Sequence, residues 1–161
     1  MRLIDVVETS ADVARDRSRI RKTTVLADAL SQATDEELPV VVAWLSGEIP
    51  QGRLGVGWRS LSKLMAPPAD SPTLEVAAVD AALGELASAS GPGSTKRRGE
   101  IIASLFAAST ESEQKFLVAL LTGELRQGAL AGVMTDAIAK VTGQDLALVR
   151  RADMLTGSLP V

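Results

Sequence analysis

The 161-residue chain contains no cysteine and no histidine. Without cysteine there is no disulfide, no thiol nucleophile and no thiolate metal site. Without histidine the commonest metal ligand and the commonest general base are both missing. A catalyst built from this sequence would depend on carboxylates, lysine or serine alone. Its acids are spread through helix starts and surfaces with no evident convergent pair, so no catalytic residue and no metal site is assigned. Aromatics make up 2% of the chain and tyrosine is absent, so the 46% hydrophobic content rests mostly on alanine, leucine, valine and isoleucine. That content is enough for a core at this length, and such residues favour closely approaching helices. The net charge of −3 does not by its total point to nucleic acid. No apolar run approaches the roughly 20 residues that span a bilayer. Acids at Asp5 and Glu8 come too early for a secretory signal. The expectation is a cytoplasmic protein with no membrane partner.

What is present reads as helix throughout. Leu3, Ile4, Val6 and Val7 form a short apolar stripe ended by Thr9-Ser10, followed by a basic stretch with Arg15, Arg17, Arg19, Arg21 and Lys22. Helical spacing of apolar residues predicts helices near 22–32, 35–46, 74–88, 98–108, 111–122 and 129–141, with shorter ones at about 57–65 and 144–155. Thr34 with Glu37, and Thr110 with Glu113, have the spacing of reciprocal capping boxes. Residues 67–72, Pro-Pro-Ala-Asp-Ser-Pro, form the plainest linker, and residues 88–95 a Gly/Ser/Pro loop closed by Lys96, Arg97 and Arg98. No segment alternates as a strand would.

The two halves align on each other. Gly47-Glu48 matches Gly123-Glu124, an offset of 123 − 47 = 76, and Gln51-Gly52 matches Gln127-Gly128 at the same offset. Without a gap, that offset also pairs Thr34 with Thr110, Glu37 with Glu113, Leu45 with Leu121, and Arg21-Lys22 with Arg97-Arg98. Two copies suit a closed all-α domain of two pseudo-twofold-related halves, about 1–66 and 73–157, better than a solenoid. Gly47 and Gly123 read as helix caps. Gly52 and Gly128 stand just before the next helix. There they serve either as plain turns or as bare backbone that a phosphate or sugar can approach.

At these turns the sequence resembles a known family. The segment Phe116-Leu-Val-Ala-Leu-Leu-Thr-Gly-Glu-Leu-Arg-Gln-Gly-Ala-Leu130 resembles the signature of the N-terminal DNA-binding domain of bacterial, actinobacterial-type, ATP-dependent DNA ligases. The opening Val6-Val-Glu-Thr-Ser10 with Arg17-Ser-Arg19 and Lys22, the turn Pro50-Gln-Gly-Arg-Leu-Gly-Val-Gly57, and the ending Val149-Arg-Arg-Ala-Asp-Met-Leu-Thr-Gly157 are similar to it as well. The likeness extends over essentially the whole chain. It implies a helical domain that wraps the minor groove of nicked duplex DNA without reading its sequence, in replication, repair or recombination. Its partners would be that DNA and the catalytic domains of the same parent chain, in the cytoplasm at the nucleoid. ATP and Mg²⁺ would belong to those catalytic domains, leaving this one without a cofactor. The family nucleophile lies in a Lys-x-Asp-Gly motif, and none of Lys22, Lys63, Lys96, Lys115 or Lys140 stands in one.

Repeat and resemblance converge on one candidate surface: Arg19, Lys22, Gln51, Gly52, Arg53, Lys96, Arg97, Arg98, Arg126, Gln127 and Gly128. Twofold-related cations suit the two phosphate strands of a duplex, and contacts of this kind position a protein without specifying bases. Glu48 and Glu124 oppose a phosphate role and are expected to bond to backbone or to a neighbouring arginine. The competing reading of the Ala/Leu faces is a helical protein–protein interaction module with no affinity for DNA.

Overall fold

The structure, a computed structural model, describes residues 1–125 and 131–156. Its helices in chain order are α1 (Leu3–Arg15), α2 (Arg19–Leu30), α3 (Leu38–Leu45), α4 (Trp58–Leu61), α5 (Val76–Ser88), α6 (Ser94–Ala107), α7 (Glu111–Thr122), α8 (Ala131–Thr142) and α9 (Leu146–Thr156). The described residues contain no strand. One isolated antiparallel bridge joins Arg2 to Glu75. No described helix is long and apolar enough to cross a membrane.

The N-terminal stripe is longer than its apolar residues suggest. Thr9 and Ser10 do not end it; both are buried within α1. The Thr9 hydroxyl donates to the Asp5 carbonyl at 2.7 Å, so a polar side chain is satisfied inside the helix without breaking it. The break falls at Asp16-Arg17-Ser18. There the Asp16 carboxylate accepts from the Ser18 amide at 2.8 Å and the Ser18 hydroxyl accepts from Arg21 at the start of α2. The basic stretch is therefore divided between two helices.

The two capping boxes form in different ways. Around α7 the Thr110 amide and hydroxyl both donate to Glu113 Oε2 at 2.8 Å, and Glu113 is fully buried. In the first half the Thr34–Glu37 exchange is made in a turn, and the helix proper begins only at Leu38, with Pro39 in its first turn. Pro39 lacks an amide hydrogen, a loss that costs least at this position. Glu37 has a further partner. The buried Met1 ammonium donates to its Oε1 at 2.7 Å and lies 3.6 Å from Glu75. Glu37 holds that ammonium above its ordinary pKa, while the ammonium and the Thr34 amide hold Glu37 below its own.

The later helices also shift from their expected bounds. The segment expected as a helix over 57–65 is helical only at 58–61. Helix α6 begins four residues earlier than expected, because Gly93 at φ +82° turns the chain directly into it. Lys96, Arg97 and Arg98 consequently lie on a helix and do not close a loop. The linker is pinned at both ends. Gln114 Nε2 donates to Ala66 O and the Ala69 amide to Ser109 O, while Leu3 and Met1 exchange backbone bonds with Leu74 and Val76.

One hydrophobic cluster runs through both halves, with Trp44, Phe106, Leu117 and Met134 among its buried members. Helix α1 packs on α2, α3 and α7; α5 packs on α3 and α6; α8 lies along α2, and α9 along α8. The offset seen in the sequence reappears in the helix order. Adding 76 carries 3–15, 19–30, 38–45 and 58–61 to 79–91, 95–106, 114–121 and 134–137, which overlap α5, α6, α7 and α8. The contacts of α1 with α7 and of α3 with α5 are reciprocal under that shift.

Candidate nucleic-acid interface

The basic residues singled out by the repeat fall into two groups, each beside elements of the other half. Arg19 opens α2 and reaches across to α8. Its Nε and Nη2 donate to Asp136 Oδ2 at 3.1 and 2.6 Å, and Nη2 also donates to Gly132 O. Asp136 accepts Arg150 from α9 as well, at 3.1 Å. Asp136 thus joins α2, α8 and α9 through two guanidinium groups, one face of Arg19 staying open to solvent. Lys22, one turn along, is half-buried and has no ion-pair partner among the described residues.

The second group is built around the turn at Gln51. Its Nε2 donates to Asp80 Oδ1 at 2.7 Å, which fixes the turn to α5. Gly52 adopts φ +75°, and a Cβ there would meet nothing within 4 Å. Arg53 is exposed and has no partner among the described residues. Next in the chain, Leu54 is buried, and its carbonyl accepts from Arg98 Nη2. Arg98 Nη1 donates to the Leu86 carbonyl in the last turn of α5, one of the carbonyls a helix end leaves without an internal partner. The half-buried Arg98 is therefore a tie between the first-half turn, α5 and α6. Lys96 and Arg97 are exposed and make only surface pairs, with Glu100 at 3.8 Å and with Glu85 at 2.9 Å. Exposed pairs of this kind contribute little and can be exchanged for phosphate.

Gly47 brings the two turns together. At φ +81° its α-carbon lies so close to the second half that an added Cβ would stand 2.8 Å from the Leu125 carbonyl oxygen. Arg126, Gln127 and Gly128, the candidates that follow Leu125, lie outside the described residues. Glu48 and Glu124 are exposed, and neither carboxylate has the expected partner among the described residues.

Not every basic cluster is available. A cleft of about 350 Å³ between α1 and α2 is lined by Arg15, Arg17 and Arg21, but Asp12 and Asp16 line it too and pair with Arg15 and Arg21. No such neutralisation occurs along 49–69. That stretch contains Arg53, Arg59 and Lys63 and not one acid. All three are exposed without an ion-pair partner among the described residues, and Trp58 beside them is 59% exposed. The gap between Glu48 and Asp70 was legible in the sequence, but residue-by-residue matching of the halves passes over it, because Arg59 and Lys63 have no basic counterparts at the offset. Among the described residues no three acids converge as a metal site would require.

Residues 65–139 match the family model described as DNA ligase N terminus. Over 99% of its length the chain is 54% identical to a probable DNA ligase of Mycobacterium sp. (strain KMS). It is 52% identical over 100% to one of Nocardia farcinica, and 53% identical over 99% to one of Streptomyces griseus. It spans 31% of the length of each of these relatives. Over nearly its whole length, then, the chain is similar to part of these probable DNA ligases, and its residues 65–139 match the DNA ligase N-terminal model.

Proposed function

We propose that the chain is the DNA-binding domain of an ATP-dependent DNA ligase. It would hold nicked duplex through the minor groove without reading sequence and leave the chemistry to other domains of a longer cytoplasmic protein. The observation that carries this reading is the whole-length kinship with probable DNA ligases of actinobacteria. Two further observations support it. Lys22 and Arg53 offer charges that no described acid neutralises. Each basic cluster also sits beside the other half: Arg98 bonds to Leu54, and Arg19 bonds to Gly132. A pseudo-dyad between halves of about 1–66 and 73–157 would then present cations from both halves to the two strands. The contact set comprises Arg19, Lys22, Arg53, Lys96, Arg97 and Arg126, with the backbones of Gly52 and Gly128, while Gln51 and Arg98 shape the first-half turn.

Phosphate contacts release counterions, so affinity should fall steeply with salt. Each lost contact should reduce the log–log slope by about 0.9. Arg53→Ala and Arg126→Ala are each expected to weaken binding about equally on unrelated sequences and to lower the slope by that amount. Arg2→Ala, on an exposed residue paired with Asp5, serves as the control and should change neither. The measurement is a titration against nicked duplex at several salt concentrations. An unmodified chain with no affinity for duplex at any salt would point instead to a protein–protein module and overturn the reading.

The same reading holds that the chain does not adenylate itself, because none of its five lysines precedes an x-Asp-Gly sequence. After incubation with labelled ATP and Mg²⁺, a denaturing gel should show no labelled band at 16.8 kDa. A band there would mean that a lysine outside that motif acts as nucleophile.

A further inference from the structure

The chain buries three of its four aromatics. Trp44 and Phe106 are 0% exposed and Phe116 is 5% exposed, while Trp58 is 59% exposed. An indole in water forfeits the largest apolar burial available to any side chain. The backbone on either side is well held. Leu54, Val56 and Leu61 are all buried in the core. Between them the chain alternates, so that Arg53, Gly55 and Gly57 face outward while Leu54 and Val56 face inward. The outward positions at Gly55 and Gly57 have no side chain, and a Cβ at either would meet nothing within 4 Å. The result is a bare strip of backbone on a firm base. Arg53 stands at one end of it, and Trp58, Arg59 and Lys63 at the other, in a stretch free of acids within a chain of net charge −3.

We infer that residues 53–63 form a second kind of DNA contact, in which Trp58 lies as an apolar anchor against the minor-groove wall of the duplex while Arg59 and Lys63 hold the flanking phosphates. The inference rests on the DNA-binding reading above and adds to it a residue type that releases no counterions. Glycine on the outward face lets a sugar–phosphate edge approach the backbone. Unpaired cations draw the duplex in, and the indole then exchanges water for deoxyribose and base edges. Minor-groove proteins also present apolar side chains to the groove, and contact with deoxyribose tolerates any sequence because every nucleotide carries the same sugar.

Salt separates the two kinds of contact. Trp58→Ala should lower affinity for nicked duplex about tenfold at every salt concentration through lost apolar burial, and leave the log–log slope unchanged. Trp58→Phe should recover most of that loss. The Arg59→Ala/Lys63→Ala pair should instead reduce the slope by about 1.8, or 0.9 for each cation. The unmodified chain supplies an independent readout. Its only tryptophans are Trp44 and Trp58 and it has no tyrosine, so acrylamide-quenchable emission reports Trp58, and saturating duplex should protect it. Unchanged affinity in Trp58→Ala, with emission still quenchable in the complex, would overturn the inference while leaving the DNA-binding reading intact. Protection of Trp58 by the remaining domains of a full-length ligase without DNA, and not by duplex, would assign the surface to a protein contact and overturn it too. No duplex binding by the unmodified chain would remove both readings together.

Discussion

Gly47→Ala is expected to destabilise the chain by about 3 kcal/mol, against about 1 kcal/mol for Gly123→Ala at the matching position of the second half. Both glycines follow a helix with positive φ, +81° and +71°. A side chain in that left-handed region costs about 1–2 kcal/mol through the approach of Cβ to the following carbonyl. For Gly123 the cost stops there, because an added Cβ would meet nothing within 4 Å. At Gly47 the same atom would stand 2.8 Å from the Leu125 carbonyl oxygen, and backbone cannot swing aside as a long side chain can. Forcing the two turns apart adds an overpacking cost of about 1–3 kcal/mol. Urea unfolding with a common m value measures both. Equal losses would mean that the close approach of the turns is relieved without strain. Gly47→Ala should also weaken DNA binding, since it displaces the turn that leads into Arg126, whereas Gly123→Ala should weaken it less.

Arg98→Ala is expected to cost about 2–3 kcal/mol, and Arg97→Ala, at the neighbouring position on the same helix, less than about 0.5 kcal/mol. The half-buried Arg98 guanidinium donates to the carbonyls of Leu86 and Leu54. Hydrogen bonds from a charged donor contribute about 1.5–3 kcal/mol, and their removal leaves two acceptors without their donor. Arg97 pairs with Glu85 between two largely exposed side chains, an arrangement worth little to stability. The effects on DNA should reverse. Under conditions where both variants are folded, Arg97→Ala should lower the salt slope by about 0.9. Arg98→Ala should leave the slope alone and reduce affinity only as far as the Gln51–Leu54 turn moves. Thermal melts and salt titrations on the two variants check both halves of this expectation. A reduced slope for Arg98→Ala would show that its guanidinium leaves the carbonyls to meet phosphate.

Much of the architecture follows from local rules that operate within a few residues. The spacing of Phe116, Leu117, Leu120 and Leu121, the Thr110–Glu113 box and the Gly123 stop sufficed to place α7 at 111–122, the span the structure shows. The all-helical class followed from the same periodicity and the lack of any alternating segment. The likeness to DNA ligases was legible in the turn motifs, because such glycine-bearing sequences are short, contiguous and specific. Errors arose where a local rule had a tertiary competitor. Thr9 and Ser10 looked like a stop, but burial of α1 against α2, α3 and α7 offsets their weak helix preference, and the Thr9 hydroxyl bonds back to the chain. The start of α6 was placed late because the freedom of Gly93 to take φ +82° has no sequence marker beyond glycine itself.

The sequence by itself determined which residues carry charge, where the halves repeat and where no acid occurs between Glu48 and Asp70. Only the tertiary structure decided which of those charges are free. Arg19, Lys22, Arg53, Arg97 and Arg98 are alike as letters in a pattern. Asp136 and Glu85 come to Arg19 and Arg97 from distant or separate helices, two carbonyls enclose Arg98, and Arg53 meets no described partner. The reason is that an ion pair depends on a separation of a few ångströms between groups that here lie 12 to 117 residues apart. Such distances are set by how the helices pack and not by the order of residues along any one of them.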